Sequence, residues 1–205
     1  MIKHPKIGVV LSGPPGCGKD TLANLICGMS ADVTKHQFKD ALYAHTAKHF
    51  EIDLDKFIHY ASERDLKDSA SLAGLGGRTP RQALIHVSEN IYKPRYGRDY
   101  FGKVEAARVE TRAGHMDCGF TIIYPDGGFP DEVECIDACY DGVLVIRLHR
   151  DGFDFSSDSR DYIYLPNTEK RLSDDFVIRA GEEKLQACQI LSMINEYKKI
   201  IQNVL

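Results

Sequence analysis

A glycine-rich turn near the amino terminus constrains the fold of this chain more than any other feature. The turn, residues 13–18, follows the apolar run Lys6–Ser12, which predicts a buried strand, and precedes a helical pattern over Lys19–Met29. Glycines let the backbone turn tightly, so that successive N–H groups converge on one anion, and the amino terminus of the helix adds partial positive charge. The pattern Gly-x4-Gly-Lys in this context predicts a loop that binds phosphate groups.

The residues of this loop form the predicted site for a donor nucleotide. Lys19 would reach the β- and γ-phosphates of ATP as a point charge. Asp20 stands where Ser or Thr usually binds Mg²⁺, and Thr21 follows it. Asp20 would hold the ion through water, or it would only stabilise the first turn of the helix, where acidic residues are favourable. The predicted ATP site consists of Gly13, Gly16, Cys17, Gly18, Lys19, Asp20 and Thr21, with Asp20 and Thr21 as candidate Mg²⁺ ligands.

The bulk composition limits the size class and the partners of the chain. Its 205 residues, 43% hydrophobic and 27% charged, suit one α/β domain. The net charge of −4 argues against broad non-specific binding of nucleic acid. Apolar runs are far shorter than the roughly 18 residues of a membrane span.

Since no leader or paired-cysteine motif is apparent, we expect a reducing cytoplasm (that of the host, if a phage encodes the chain) and small nucleotide partners. We expect no stable nucleic-acid binding and no membrane, and the sequence leaves a homodimer open.

Strand and helix patterns alternate along the rest of the chain, which predicts a parallel sheet covered on both faces. We predict further strands at residues 33–38, 120–124, 143–146 and 175–179, and helices at 39–50, 99–112, 130–139 and in the carboxyl-terminal segment. Another helix is predicted to begin after Thr79, because Pro80 and Gln82 complete a capping box. The polar stretches 53–77 and 151–172 predict a mobile substrate-side insertion and a lid-like loop within one domain of residues 1–205.

A loop of this kind suits phosphoryl transfer, which needs two substrates held in line and cations around the moving group. Arginine is suited to this because a planar guanidinium grips phosphate oxygens in pairs. Arg81 lies beside the capped helix start, and Arg150 flanks the lid-like loop. Asp126 follows an apolar strand, where ligands bind to parallel sheets, although Pro-Asp-Gly-Gly is also an ordinary tight turn. The candidate catalytic residues are therefore Lys19, Arg81, Asp126 and Arg150.

Four segments resemble bacteriophage-type deoxynucleoside monophosphate kinases, in the same order along the chain. They are the loop with Asp after its lysine, Phe38–Leu42, Thr79–Gln82 followed by Gly97–Phe101, and Asp126–Glu132. The resemblance implies the P-loop nucleoside monophosphate kinase fold, a three-layer α/β domain with a five-stranded parallel sheet. It also implies transfer of phosphate from ATP to a deoxynucleoside monophosphate.

The resemblance further implies where the acceptor nucleotide binds. By it, Lys39, Arg81, Asp126 and Glu132 would contact the acceptor and Phe101 would stack on its base. Glu89 and Arg98 complete the predicted acceptor set. Two departures leave the accepted base open, because Ser88-Glu89 replaces the Gly-Thr of the family and Gly128 stands where some members carry arginine.

Other functions share this loop. Adenylate kinases have a similar one, although residues 151–172 lack their arginine-rich lid, and dephospho-coenzyme A kinase shares the implied fold. A P-loop ATPase or nucleotide switch that acts on a macromolecule is the main alternative of another class, although it would favour a basic surface. A binder without turnover is a third possibility, because Asp20 replaces the usual hydroxyl.

Overall fold

The computed structural model describes residues 4–114, 119–127, 129–156, 158 and 160–205, with the backbone alone at position 64. Gly128, one of the two departures noted above, lies outside the described residues. So do two positions of the lid-like loop, 157 and 159.

Five strands form one parallel sheet in the order β2-β3-β1-β4-β5. They are β1 Ile7–Ser12, β2 Val33–Lys35, β3 Thr121–Tyr124, β4 Gly142–Arg150 and β5 Arg171–Ile178. Because β1 is central and fully buried, the loop that follows it opens at the middle of the carboxyl edge. The predicted α/β fold with a five-stranded parallel sheet and helices on both faces is confirmed.

Nine α-helices and one π-helical segment are present among the described residues. The helices are α1 Lys19–Met29, α2 Lys39–His49, α3 Leu54–Ser62, α4 Arg64–Ser69, α5 Pro80–Ile85, α6 Lys93–Tyr96, α7 Tyr100–Gly114, α8 Pro130–Asp137 and α9 Glu183–Val204. The π-helical segment is His86–Tyr92, between α5 and α6. Across the described part of the chain, no helix combines the length and the apolar character that crossing a bilayer requires.

The chain divides into two compact units. Unit 1 comprises residues 1–37 and 105–205 and contains the sheet, and unit 2 comprises Phe38–Val104. In unit 1, Ile7, Val9 and Leu11 of β1 pack in one core with α1 and α9. The alternate residues of β1 face the other side, where the ring of Tyr140 lies against Gly8. This alternation is what a central strand covered on both faces requires.

Unit 2 has a small hydrophobic core of its own. Phe57 of α3 and Leu75 are fully buried in it. The predicted capping box at α5 is confirmed, since the Thr79 hydroxyl accepts from the Gln82 N–H and the Gln82 side chain accepts from the Thr79 N–H.

Several predicted bounds were wrong. Residues 53–77 contain α3 and α4, although no regular element was predicted there, and Asp53 caps α3 by accepting from the Lys56 N–H. Strand β4 continues to Arg150, and β5 begins at Arg171 rather than at residue 175, because an edge strand tolerates the polar residues that hid its pattern. The mobility of residues 53–77 and 151–172 stays a prediction.

Candidate nucleotide-binding site

The predicted phosphate loop connects β1 to α1 at the carboxyl edge of the sheet. Gly16 and Gly18 have φ angles of 77° and 114°, a region that L side chains rarely adopt. A Cβ at Gly13 would lie 2.9 Å from the carbonyl oxygen of Leu148, so this position also requires glycine. The Cys17 N–H donates to the Pro14 carbonyl at 3.3 Å, which closes the turn. The three glycines thus meet two demands of one tight turn, positive φ at Gly16 and Gly18 and a close backbone approach at Gly13.

Lys19 points back into this loop. Its Nζ donates to the carbonyl oxygens of Gly13 at 2.6 Å and Pro14 at 2.8 Å, and the residue is 8% exposed. Burial lowers the pKa of Lys19, because desolvation disfavours the charged ammonium. Nζ also lies 3.8 Å from Sγ of Cys17. A buried ammonium held by two carbonyls and a sulfur of its own loop is well placed to exchange them for phosphate oxygens.

A second cation, Arg160, belongs to the same region. Its guanidinium makes a bidentate contact with Asp158, at 2.8 and 2.6 Å. This contact raises the pKa of Arg160, and the charges of Asp126 and Glu132 act in the same direction. The charge of Arg160 in turn contributes to the lowered pKa of Lys19, after burial. Sequence reasoning did not select Arg160, because nothing local marks it out among the arginines of the lid-like loop.

Asp126 and Glu132 follow β3, the parallel neighbour of β1. Asp126 is half-buried in the turn after the strand, as predicted, and Glu132 lies in the first turn of α8. A Cβ at the next residue, Gly127, would lie 2.2 Å from Cγ1 of Val10, so this turn packs directly against β1. The acidic turn and the phosphate loop are therefore neighbours on the same sheet edge.

The lid-like loop crosses the same edge and is held there. The Ile163 N–H donates to Ser12 Oγ at 2.9 Å, and the Ile163 side chain is fully buried. The Tyr162 hydroxyl donates to the Leu148 carbonyl at 3.2 Å. These long-range contacts fix the path of the chain past Arg160, a path that no local pattern encodes.

A cavity of about 290 Å³ opens beside the phosphate loop. Its lining comprises Cys17, Gly18, Thr21, Leu22, Leu25, Arg150, Ile178, Glu183 and Lys184. Arg150 also donates from Nη1 to the Cys17 carbonyl at 3.3 Å. A group bound in this cavity would therefore lie next to any phosphate held by the loop, on the side of β5 and α9.

The predicted metal ligands are suitable for Mg²⁺ by residue type. Asp20 and Thr21 are exposed at the start of α1, and Asp20 Oδ1 accepts from Gln37 Nε2 at 3.2 Å. Within the described ranges, no three His, Cys, Asp or Glu residues are grouped so that they could hold a metal ion by themselves. Mg²⁺ bound here would keep most of its shell as water and nucleotide phosphate, with one or two protein oxygens.

Unit 2 holds the remaining predicted acceptor residues. Arg81, in the first turn of α5, pairs with Asp68, and both side chains are half exposed. Lys39 begins α2, and its Nζ lies 5.9 Å from the ring centroid of Tyr43. Both cations thus lie in the first turns of helices, where the helix dipole favours a bound anion.

Glu89, Arg98 and Phe101 complete the predicted acceptor set. Glu89 lies in the π-helical segment, and its carboxylate accepts from Lys93 at 2.5 Å. Arg98 is close enough to Glu89 to contribute to the lowering of its pKa, a smaller effect than the hydrogen bond from Lys93. Phe101 is only 4% exposed and packs in a cluster of aromatic rings with His45 and Tyr92. Its predicted stacking on a base stays a prediction.

The chain is similar to known proteins in its fold. No protein-family profile and no curated protein matches the chain. An unliganded sugar kinase from Janibacter sp. HTCC2649 matches with a TM-score of 0.52 and 12% identity, over 96% of this chain and 98% of that one. The structure of a protein named APE1195 matches with a TM-score of 0.50 and 12% identity, over 97% and 99% of the two chains. At this identity the likeness establishes a shared α/β architecture, which a sugar kinase also uses.

Proposed function

We propose that this chain is a kinase that transfers the γ-phosphate of ATP to a deoxynucleoside monophosphate. The observation that carries the proposal is the loop between β1 and α1, in which glycines with positive φ angles surround the buried ammonium of Lys19. Loops of this form bind the phosphates of nucleoside triphosphates through backbone N–H groups and the lysine. The fold shared with a sugar kinase is consistent with a phosphotransferase.

On the donor side, the chain supplies positive charge and shape. Lys19 would exchange the carbonyls of Gly13 and Pro14 for oxygens of the transferred phosphate. Asp20 and Thr21 would hold Mg²⁺, which neutralises phosphate charge when it is bound. The cavity beside the loop, lined by Arg150, would receive the base of the nucleotide.

Around the transferred phosphate, the loop that contains Arg160 would supply a second cation. Its guanidinium would leave Asp158 for phosphate oxygens, because both partners suit its bidentate geometry. Positioning and charge stabilisation are the main catalytic contributions of proteins to phosphoryl transfer. The lid-like loop, which crosses this edge of the sheet, would exclude water from the site and suppress wasteful hydrolysis of ATP.

On the acceptor side, Arg81 and Lys39 are the cations that would hold the monophosphate, and Asp126 is a further proposed acceptor contact. Glu132, Glu89, Arg98 and Phe101 are the other proposed acceptor contacts. This part of the proposal is supported by the four segments that resemble deoxynucleoside monophosphate kinases.

The proposal is tested by incubating the protein and magnesium with ATP and each of a panel of acceptors, followed by separation of the products. The panel contains the four common dNMPs, the corresponding NMPs, dephospho-coenzyme A and simple sugars, because the sugar kinase likeness makes a sugar hydroxyl the second candidate acceptor. We expect a deoxynucleoside diphosphate and ADP in equal amounts. A phosphorylated sugar, or release of inorganic phosphate with every acceptor unchanged, would contradict the proposed acceptor.

The role of Arg81 is tested separately with Arg81→Ala. The variant should lose kcat/KM for the dNMP about 100-fold, the loss expected from one charge-assisted phosphate contact, with the KM for ATP unchanged. Arg179→Ala is the matched control, since Arg179 is a largely exposed arginine in unit 1. An unchanged kcat/KM for the dNMP would remove Arg81 from the acceptor site.

A further inference from the structure

A stacked pair of side chains lies against the phosphate loop, and the function proposed above accounts for only one of its two members. The pair is Arg150, at the end of β4, and Phe153, three residues later. The guanidinium carbon of Arg150 is 4.7 Å from the centroid of the Phe153 ring. A Cβ at Gly16 would lie 3.2 Å from Cε1 of Phe153, so the ring also contacts the outer surface of the loop.

The two members of the pair have different environments. Arg150 lines the cavity of about 290 Å³ next to Gly18 and Thr21. The Phe153 ring is exposed and packs on the Arg150 guanidinium. The guanidinium is held a second time by the hydrogen bond that Arg150 Nη1 donates to the Cys17 carbonyl. A long, flexible side chain is thus held at one wall of the cavity by an aromatic ring and a backbone oxygen.

This arrangement suits a planar, uncharged ligand in the cavity. A guanidinium stacks on aromatic faces, and a purine presents such a face. Leu22, Leu25 and Ile178 provide apolar surface around the same space, beside the charged residues Glu183 and Lys184. A base site combines apolar surface with polar groups of this kind. A guanidinium fixed in advance stacks at a lower entropic cost than one that must be ordered on binding.

We infer that Phe153 is a positioning residue for the base of the donor nucleotide: it holds the Arg150 guanidinium at the cavity wall, where the base stacks. The inference rests on the proposed function only in taking a nucleoside triphosphate as the ligand of the loop. It assigns Phe153 a role in recognising the base, and no role in binding the phosphates.

Two ligands separate these roles in a calorimetric titration. ATP carries both base and phosphates, whereas inorganic tripolyphosphate carries the phosphates alone. Phe153→Ala should lower the affinity for ATP about tenfold, because one supported stacking contact is lost. The affinity for tripolyphosphate should be unchanged. Phe153→Tyr should restore ATP binding, because it keeps the ring. Phe155→Ala is the matched control, since that ring packs on Tyr162 in the same loop, and should bind ATP like the wild type.

A double-mutant cycle tests whether Phe153 acts through Arg150. If it does, Arg150→Ala and Phe153→Ala should each lower the affinity for ATP. The double variant should then bind ATP no more weakly than Arg150→Ala alone. Additive losses would overturn the inference, as would equal losses for ATP and tripolyphosphate or an unchanged affinity of Phe153→Ala for ATP. These three results leave the proposed function intact. A wild-type protein that binds neither ligand would overturn both.

Discussion

Nδ1 of His36 lies 2.7 Å from Oε1 of Glu105, and both side chains are more than nine-tenths buried in unit 1. The Tyr124 hydroxyl donates to the same carboxylate oxygen at 3.0 Å and lies 2.7 Å from the Tyr140 hydroxyl. Glu105 of α7 therefore organises a buried polar network that includes Tyr124 of β3. His36 and Glu105 also stand beside the two points in sequence at which the chain passes between units 1 and 2.

Removing the Glu105 carboxylate should destabilise the protein strongly, because His36 and Tyr124 would lose their shared buried partner. We expect Glu105→Ala to reduce the free energy of unfolding by about 3 kcal/mol, and Glu105→Gln to cost less because it keeps an acceptor oxygen. Urea denaturation measures both. Glu110→Ala, at an exposed position of the same helix, should change stability by less than about 0.5 kcal/mol. Equal losses for Glu105→Ala and Glu110→Ala would contradict the importance of the network.

Substitution of Lys19 should lower turnover strongly without unfolding the protein. We expect Lys19→Ala to lower kcat about 1000-fold, since it removes the ammonium from the phosphate loop. The melting temperature should not fall by more than a few degrees, because burial of this ammonium is itself unfavourable. Lys35→Ala, at an exposed position of β2, should keep wild-type turnover. Turnover of Lys19→Ala within a few-fold of the wild type would exclude the proposed role.

Arg160 is the arginine that the structure adds to the site. Arg160→Ala should lower kcat about 100-fold with a small change in the KM for ATP, because its proposed contact forms mainly with the transferred phosphate. Arg160→Lys should rescue little, since an ammonium cannot reproduce the bidentate contact. Steady-state kinetics measure both variants. A raised KM with normal kcat would instead place Arg160 in ground-state binding.

The stability of the sheet edge should depend on pH through Asp175. The contact with Arg147 on the neighbouring strand lowers the pKa of Asp175 below its usual range, and the hydrogen bond from His149 acts in the same direction. Because the folded-state pKa is the lower one, the folded protein binds fewer protons. The contribution of the Asp175 carboxylate to the free energy of unfolding is therefore complete above about pH 4, where this carboxylate is also ionised in the unfolded state. It is lost as pH falls further.

Asp175→Asn tests this dependence. It should cost about 1 kcal/mol at pH 7, a modest value because the carboxylate is half exposed and solvent screens it. The difference in the free energy of unfolding between Asp175→Asn and the wild type should shrink steadily below about pH 4. Urea denaturation across this range measures it, with Asp151→Asn as an exposed control. A difference that is independent of pH would show that the charge of Asp175 is not responsible.

Sequence patterns predicted the centre of the fold well, because the information there is local. The apolar run of β1, the turn glycines and the periodicity of α1 each determine their own structure, and α1 has the predicted bounds. Helix α3 was missed although its signals were present: Asp53 caps it, and Phe57 and Ala61 are buried four residues apart. These signals were weak because most residues around them in the sequence are polar. Unit 2 has a small core, so α3 contributes few buried apolar residues to it.

The parts of the site that sequence could not predict depend on long-range contacts. Arg160 acquires its position because Ile163 docks on Ser12, which is distant in the chain. Likewise, Phe153 contacts Gly16 only because β4 lies beside β1 in the sheet. Residue type alone does not separate such residues from other arginines and aromatic residues of a polar loop.

The most direct test of the central claim is a calorimetric titration of magnesium and ATP into the folded protein. If the N–H groups of residues 13–21 and the Lys19 ammonium form a triphosphate site, the wild type should bind one ATP per chain and Lys19→Ala should bind at least tenfold more weakly. Absence of binding heat at several temperatures, in protein shown to be folded by its melting transition, would contradict the account.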